Sequence, residues 1–167
     1  MTQIRAAQGA DVALILALIR ELADYEKLSG EVTATEDLLR KTLFEPGATA
    51  ETLIAEEDGR LAGFALFFHN YSTFLARPGI YLEDLFVRPE FRGRGIGRAL
   101  LAHIARLARE RQCGRVEWSV LDWNEPAIRF YRSLGAVPMD QWTVFRLTGE
   151  HINALADMAL PAREECP

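Results

Sequence analysis

Three glycines spaced two apart, Gly93, Gly95 and Gly97, stand among Arg92, Arg94, Ile96 and Arg98. An apolar run reaching Arg88 precedes them, and Ala99 to Leu107 follows with apolar residues at helical spacing. Glycines let a backbone turn and approach a ligand where side chains would clash. The N–H groups of a helix's first turn lack partners and lie at the positive end of its dipole. A loop and helix of this kind make a cradle for pyrophosphate. The spacing excludes two common cradles. A dinucleotide fingerprint needs a glycine where Arg98 stands, and a P-loop needs Gly-Lys-Ser/Thr, which is absent.

A second constellation runs from Asn124 through Glu125-Pro126-Ala127 to Phe130-Tyr131. Asn124, Ala127 and Tyr131 fall in an i, i+3, i+7 row on one helix face. A tyrosine with a reference pKa of about 10 can give a proton to a leaving group. The plainer alternative is a core tyrosine with its hydroxyl at the edge. Carboxylates that can take a proton or hold a cation are Glu83 and Asp84, within the strand before the glycines. Alternation along a strand sends Glu83 and Asp84 to opposite faces, and pattern alone leaves open which one faces a cleft. His69, His103 and His151 lie in separate elements with no metal-ligand spacing, and Cys113 and Cys166 are far apart, so neither a metal site nor a disulfide framework is expected.

These groups need a scaffold, and the chain is long enough for one. Its 167 residues, 49% hydrophobic and 26% charged, suit a single globular domain spanning 1–167. No run reaches the ~20 apolar residues of a membrane span, and Met1-Thr2-Gln3-Ile4-Arg5 lacks a signal-peptide layout, so a cytoplasmic protein is expected. A net charge of −5 disfavours a nucleic-acid partner and mildly favours a cationic substrate.

Along the chain, Gln3 to Ala6 reads as a strand, and Asp11 as the cap of a helix with Val12, Leu14, Ile15, Leu18, Ile19 and Leu22 on one face. Thr33 to Glu36 has capping-box spacing and opens a second helix that Pro46-Gly47 ends. Asp58-Gly59 joins strands Thr52–Glu56 and Leu61–Asn70 as a hairpin. Ile80–Val87 feeds the glycine loop and its helix, and Arg115–Leu121 follows as a strand. Asn124 starts a helix stopped by Gly135, Gln141–Leu147 is a late strand, and Glu150–Leu160 a last helix. The Ile152, Leu155, Ala156 and Leu160 stripe is expected on the sheet, and Trp142 in core or interface packing. Hairpins first and strand–helix–strand later give an α/β fold with a mixed, mostly antiparallel twisted sheet and helices on both faces.

Arg92-Gly93-Arg94-Gly95-Ile96-Gly97 resembles the Arg-x-x-Gly-x-Gly/Ala signature of the GNAT superfamily of N-acetyltransferases, and Asn124 to Ala136 resembles its later Asn-x-x-Ala-x-x-Phe-Tyr segment. With Tyr81-Leu82-Glu83-Asp84-Leu85-Phe86-Val87 and Ile19 to Glu26, the chain is most similar to the diamine acetyltransferases, which act on spermidine, spermine or thialysine. The resemblance implies the GNAT fold with a splayed cofactor cleft, acetyl-coenzyme A as co-substrate, no metal, a small amine as acceptor, and a homodimer. It places the cofactor on Leu85, Phe86 and Val87, on Arg92 to Arg98, and on Asn124, Pro126, Ala127 and Tyr131. It makes Tyr131 the general acid and Glu83 the group that accepts the amine's proton, with Tyr25, Glu26, Glu83, Trp118 and Asp140 toward the substrate and Glu117 and Ser119 as weaker candidates. The stretch Val137 to Gln141 is shorter than in the polyamine enzymes, which leaves a smaller amine such as thialysine equally open; Arg77 would then be a candidate for a substrate carboxylate. Acetylation of a protein, or a non-catalytic acyl-coenzyme A sensor, are the competing readings.

Overall fold

The computed structural model describes residues 1–159, as two compact units: Met1–Leu121, and the residues from Asp122 onward. The first unit holds one sheet in the order β1-β2-β3-β4-β5. Its strands are β1 (Thr2–Ala6), β2 (Glu51–Glu57), β3 (Arg60–Ser72), β4 (Arg77–Val87) and β5 (Val116–Trp118). The first three pairings are antiparallel and β4 with β5 is parallel. The mixed sheet expected from the hairpins is therefore present. Asp58 and Gly59 both take positive φ, 50° and 73°, which closes the two-residue β2–β3 turn in the sense that matches strand twist.

Helices cover both faces of this sheet. Val12, Ile15, Leu16, Leu18 and Leu22 of α1 (Val12–Glu26) and Leu39 of α2 (Glu36–Phe44) bury against Ile54, Phe64 and Phe86. Leu14, expected in that stripe, is instead 41% exposed. The opposite strand residues, Leu53, Ala65, Phe67, Ile80 and Leu82, are buried on the face that takes α3 (Ile96–Glu110), whose own buried row is Ile96, Leu100, Leu101, Ile104 and Ala108.

Two caps differ from expectation. Asp11 makes no side-chain cap to α1. Its carboxylate is taken by the Arg5 guanidinium at 2.7 and 2.9 Å and by the Gln8 N–H at 2.7 Å, because a charged fork competes better than a cap amide. For α2 the cap is Thr35, whose Oγ1 accepts from the Leu38 N–H, two residues later than the capping-box spacing suggested.

The second unit contains α4 (Glu125–Ser133) and α5 (Glu150–Ala156). Gly135, with φ of 86°, follows the end of α4 as expected. The strand expected over Gln141–Leu147 does not form, and those residues carry no regular hydrogen-bonded structure beyond a turn. Trp142, Val144, Phe145 and Leu147 there are exposed rather than in core packing, as are Ile152 and Leu155 of α5. A strand needs a neighbouring edge to satisfy its amides, and alternation in one segment says nothing about that edge. Leu160 and Cys166 lie outside the described residues.

Candidate active site

Strand β4 changes character at Glu83. Phe67 pairs with Leu82 and Leu66 with Asp84, so Glu83 is an extra residue opposite no partner, a β-bulge. Ile80 and Leu82 share the face of Phe67, whereas Asp84 and Phe86 pair with Leu66 and Phe64 and so face α1. Strict alternation would have left Asp84 on the face of Leu82 and away from Glu83. The bulge removes that separation, and the Asp84 carboxyl feels the charges of both Glu83 and Glu26. The sequence does carry a trace of this, since Glu83-Asp84 interrupts an apolar run that resumes at Leu85, but nothing local says which residue is the extra one.

The parallel pairing of β4 with β5 is confined to Ile80–Leu82 against Val116–Trp118. Among the described residues, Glu83 to Val87 have β3 on one side and no strand on the other. That opening is the splay expected for a cofactor cleft, and it begins at the bulge. Gly63 holds the other side close: a Cβ there would meet the Phe86 carbonyl oxygen at 2.3 Å, so only glycine lets β3 approach β4 at this point.

The end of α1 is fastened over this stretch. Arg88 donates to both oxygens of Glu21, at 2.8 and 2.7 Å, and to the Leu61 carbonyl at 3.1 Å. The Arg92 Nε donates to the Val87 carbonyl at 2.9 Å, and its guanidinium lies 4.6 Å from the centre of the Tyr25 ring and 5.8 Å from that of Phe86. Arg92, expected among the phosphate partners, is thus turned back onto the last turn of α1. The next residue along that turn is Glu26, half-buried, and Lys27 ends the helix in the left-handed region with φ of 63°.

The electrostatics follow from this crowding. Burial pushes the Asp84 carboxyl up to about 6, and the neighbouring Glu83 and Glu26 charges push the same way. Burial also raises Glu26. Glu83 itself is exposed. The Glu83 and Glu26 charges that raise Asp84 also favour an ammonium group beside it, because a positive charge relieves that repulsion.

The glycine loop has the geometry its spacing implies. Gly93 and Gly95 take φ of 76° and 82°, a region other residues enter only with strain. Gly95 caps α3 with no side chain over the helix end, and the first helical bond is the Ala99 N–H to the Gly95 carbonyl at 2.9 Å. The N–H groups of Ile96, Gly97 and Arg98 therefore have no intrahelical acceptor. A Cβ built on Gly93 or Gly95 would meet no atom within 4 Å, so the space beside both glycines is open. The residues present fit a pyrophosphate-bearing co-substrate.

Other candidates fall further apart. Trp118 pairs with Leu82, one residue short of the bulge. Glu117 is committed to the Arg115 Nε at 2.7 Å and the Asn70 amide at 2.8 Å, and Ser119 to the Tyr81 hydroxyl at 2.7 Å. Arg77 begins β4, six residues before Glu83 and so about 20 Å away along the strand. His69 and His103, although in separate elements, line one cavity of about 370 Å³ with Thr52, Phe67 and Arg111, and that cavity holds none of the candidate residues. No group of His, Cys, Asp and Glu able to hold a metal occurs among the described residues.

In the second unit, Asn124 caps α4, its Oδ1 accepting from the Ala127 N–H at 3.4 Å, with Pro126 in the first turn. Tyr131 lies in the last turn of α4, its ring 5.4 Å from that of Phe130. Asp140 is exposed in a turn.

Comparison with known proteins agrees with this architecture. The chain is 40% identical over 164 residues to a thialysine N-epsilon-acetyltransferase of Bos taurus, covering 92% of this chain and 96% of that one. It is 33% identical to the L-ornithine N5-acetyltransferase NATA1 of Arabidopsis thaliana, covering 92% and 87%. Among solved structures, an integron cassette protein from the mobile metagenome of V. cholerae superposes with a TM-score of 0.78 at 28% identity, covering 93% of this chain and 97% of that one. The family model described as "Acetyltransferase (GNAT) family" matches residues 16–136, and with the glycine loop, the bulged fourth strand and the splay in place, this chain belongs to that acetyltransferase family.

Proposed function

We propose that this N-acetyltransferase moves acetyl from acetyl-coenzyme A to the terminal primary amine of a small diamine or diamino acid, of the thialysine or ornithine type. The observation that carries the choice of acceptor is the carboxylate group at the β4 bulge, where burial, helped by the Glu83 and Glu26 charges, pushes Asp84 up to about 6. Glu26 and Asp84 attract the ammonium end, and the Tyr25 ring, pinned by Arg92, walls the approach. Relatives named for thialysine and ornithine acetylation support the reading.

An ammonium with a pKa of about 10.4 must lose its proton before it attacks, at a cost of roughly 4–5 kcal/mol at pH 7. Glu83, exposed at the bulge, accepts that proton, directly or through water. The amine nitrogen bonds to the acetyl carbon as the carbon–sulfur bond breaks, and the Tyr131 hydroxyl protonates the departing thiolate. Backbone groups of Leu85, Phe86 and Val87 orient the thioester. The loop from Gly93 to Arg98 holds the pyrophosphate, and Asn124, Pro126 and Ala127 take the rest of the co-substrate. The working unit is a cytoplasmic homodimer in which a second copy covers the exposed Trp142, Val144 and Phe145; sedimentation at two protein concentrations checks that assembly.

Thiol release from acetyl-coenzyme A, followed with thialysine, ornithine, lysine, putrescine, spermidine and a lysine peptide, tests the acceptor. Turnover fastest with one of the small amines supports the reading, and preference for the peptide overturns it. Tyr131→Phe should lower kcat about 100-fold or more while leaving cofactor affinity intact. A variant as fast as the parent removes Tyr131 from the chemistry.

A further inference from the structure

One aromatic ring beside the glycine loop gathers two guanidinium groups. Phe91 is buried, 3% exposed, in the short turn Pro89–Phe91 that links β4 to the loop. The Arg60 guanidinium lies 5.0 Å from the centre of its ring and that of Arg94 5.5 Å. They arrive from different places in the chain. Arg60 is the first residue of β3, just past the Asp58-Gly59 turn, and Arg94 lies between the two positive-φ glycines of the loop. Both side chains reach solvent.

Among the described residues, no carboxylate makes an ion pair or hydrogen bond to Arg60 or Arg94; Asp58 feels the charge of Arg94 at a distance and no more. Of the other arginines around the loop, Arg88 is occupied by Glu21 and Arg92 by the Val87 carbonyl and the Tyr25 ring, while Arg98 is exposed in the first turn of α3 and away from the Phe91 ring pair. Two cations drawn to one ring repel each other, and an aromatic face offsets only part of that repulsion. In a chain of net charge −5 this is a local reversal of sign. Its complement is a compact dianion, and a phosphate monoester carries about −1.5 to −2 charges near neutral pH.

We propose that Arg60 and Arg94, braced on Phe91, bind the 3′-phosphate monoester of coenzyme A, so that β3 contributes to selection of the co-substrate alongside the glycine loop. The inference rests on acetyl-coenzyme A being the donor. The loop amides serve the pyrophosphate, and the arginine pair serves the separate monoester, which a donor lacking it would leave without a partner.

Calorimetric titration of coenzyme A and 3′-dephospho-coenzyme A into the parent protein, Arg60→Ala and Arg60→Lys, at one fixed salt concentration, tests this. The parent should bind the phosphorylated form about tenfold or more tightly, as expected for charge-assisted bonds at a partly exposed site. Arg60→Ala should lose most of that preference while binding the dephospho form within about twofold of the parent, which also reports that the variant is folded. Arg60→Lys should keep part of it. Equal weakening of both ligands by Arg60→Ala, or no preference in the parent, overturns the assignment of the arginine pair while leaving the donor intact. Failure of the parent to bind either ligand overturns the donor and the assignment together.

Discussion

From Arg77 to Leu82, β4 runs beside β3, and over Ile80–Leu82 it has β5 on its other side as well. Ile80 and Leu82 there are at most 1% exposed. From Glu83 to Val87 the same strand pairs with β3 alone, begins with an unpaired residue, and carries two adjacent carboxylates. The first half is held by burial and by amides satisfied along the strand. The second half gives up a neighbour, and with it some stability, and gains an open edge beside charged groups. A difference of one residue in register separates a piece of core from the open stretch proposed to hold the active site. Substitutions in the two halves should therefore move different observables.

The largest effect on folding belongs to the first half. Ile80→Ala removes a fully buried side chain and should cost about 3–4 kcal/mol, within the usual range for such truncations. In urea unfolding the midpoint should fall, while kcat per folded molecule changes less than about twofold. A kcat that collapses with stability would mean that the two halves act as one.

Asp84→Asn is the converse substitution. The amine KM should rise about 10- to 100-fold, since a cation loses a carboxylate partner. Stability at pH 7 should rise, by up to about 3 kcal/mol, because a carboxyl pushed to about 6 is held there in its unfavourable charged form. Lower stability in this variant would show that Asp84 is a structural acid. Gly63→Ala tests the fastening between the halves. Its Cβ would sit 2.3 Å from the Phe86 carbonyl oxygen, so β3 and β4 must separate slightly. About 1–3 kcal/mol of stability should be lost, together with a drop in kcat that Ile80→Ala does not show.

These halves differ also in how far they can be read from the chain. The hairpin at Asp58-Gly59, the helix after Gly97, and the cap and proline that open α4 follow from local rules, and each appears where its residues place it. Glycines 93 and 95 announce their own φ values. Glu83 and Asp84 do not announce the bulge, because which strand carries the extra residue depends on how β3 and β4 align over their whole length. The Asp11 carboxylate goes to Arg5, on a strand that its helix-capping pattern does not mention. The stretch Gln141–Leu147 has strand composition and no strand, since the edge it would need is not written in its own residues. What was legible is what neighbours along the chain decide. What was not is settled by partners tens of residues away.

The finest test of the division is a pH profile. Asp84 holds its proton more tightly in the fold than in the unfolded chain, where an aspartate titrates near 3.9. Its stabilising contribution is thus complete below that value and lost as pH rises through about 6. Glu26, also raised by burial, works in the same direction. Asp11 and Glu51, lowered by Arg5 and Arg111, work oppositely, and their contributions fade only on acidification toward pH 4 and below. Between pH 5 and 7 Asp84 and Glu26 pull the melting temperature down as pH rises, while His103, lowered by burial and by Arg106, pulls it up. Asp84→Asn should remove most of the downward pull. Catalysis should bend in the same window. Deprotonation of the acceptor amine gives log(kcat/KM) a slope of about one up to its pKa near 10. If the ionised Asp84 is needed to receive the ammonium, a second unit of slope appears below about 6. The parent should show a break from two to one near that pH, and Asp84→Asn a single slope throughout. A parent profile without the break would return Asp84 to the buried half of its strand and leave amine binding to Glu26 and Glu83 alone.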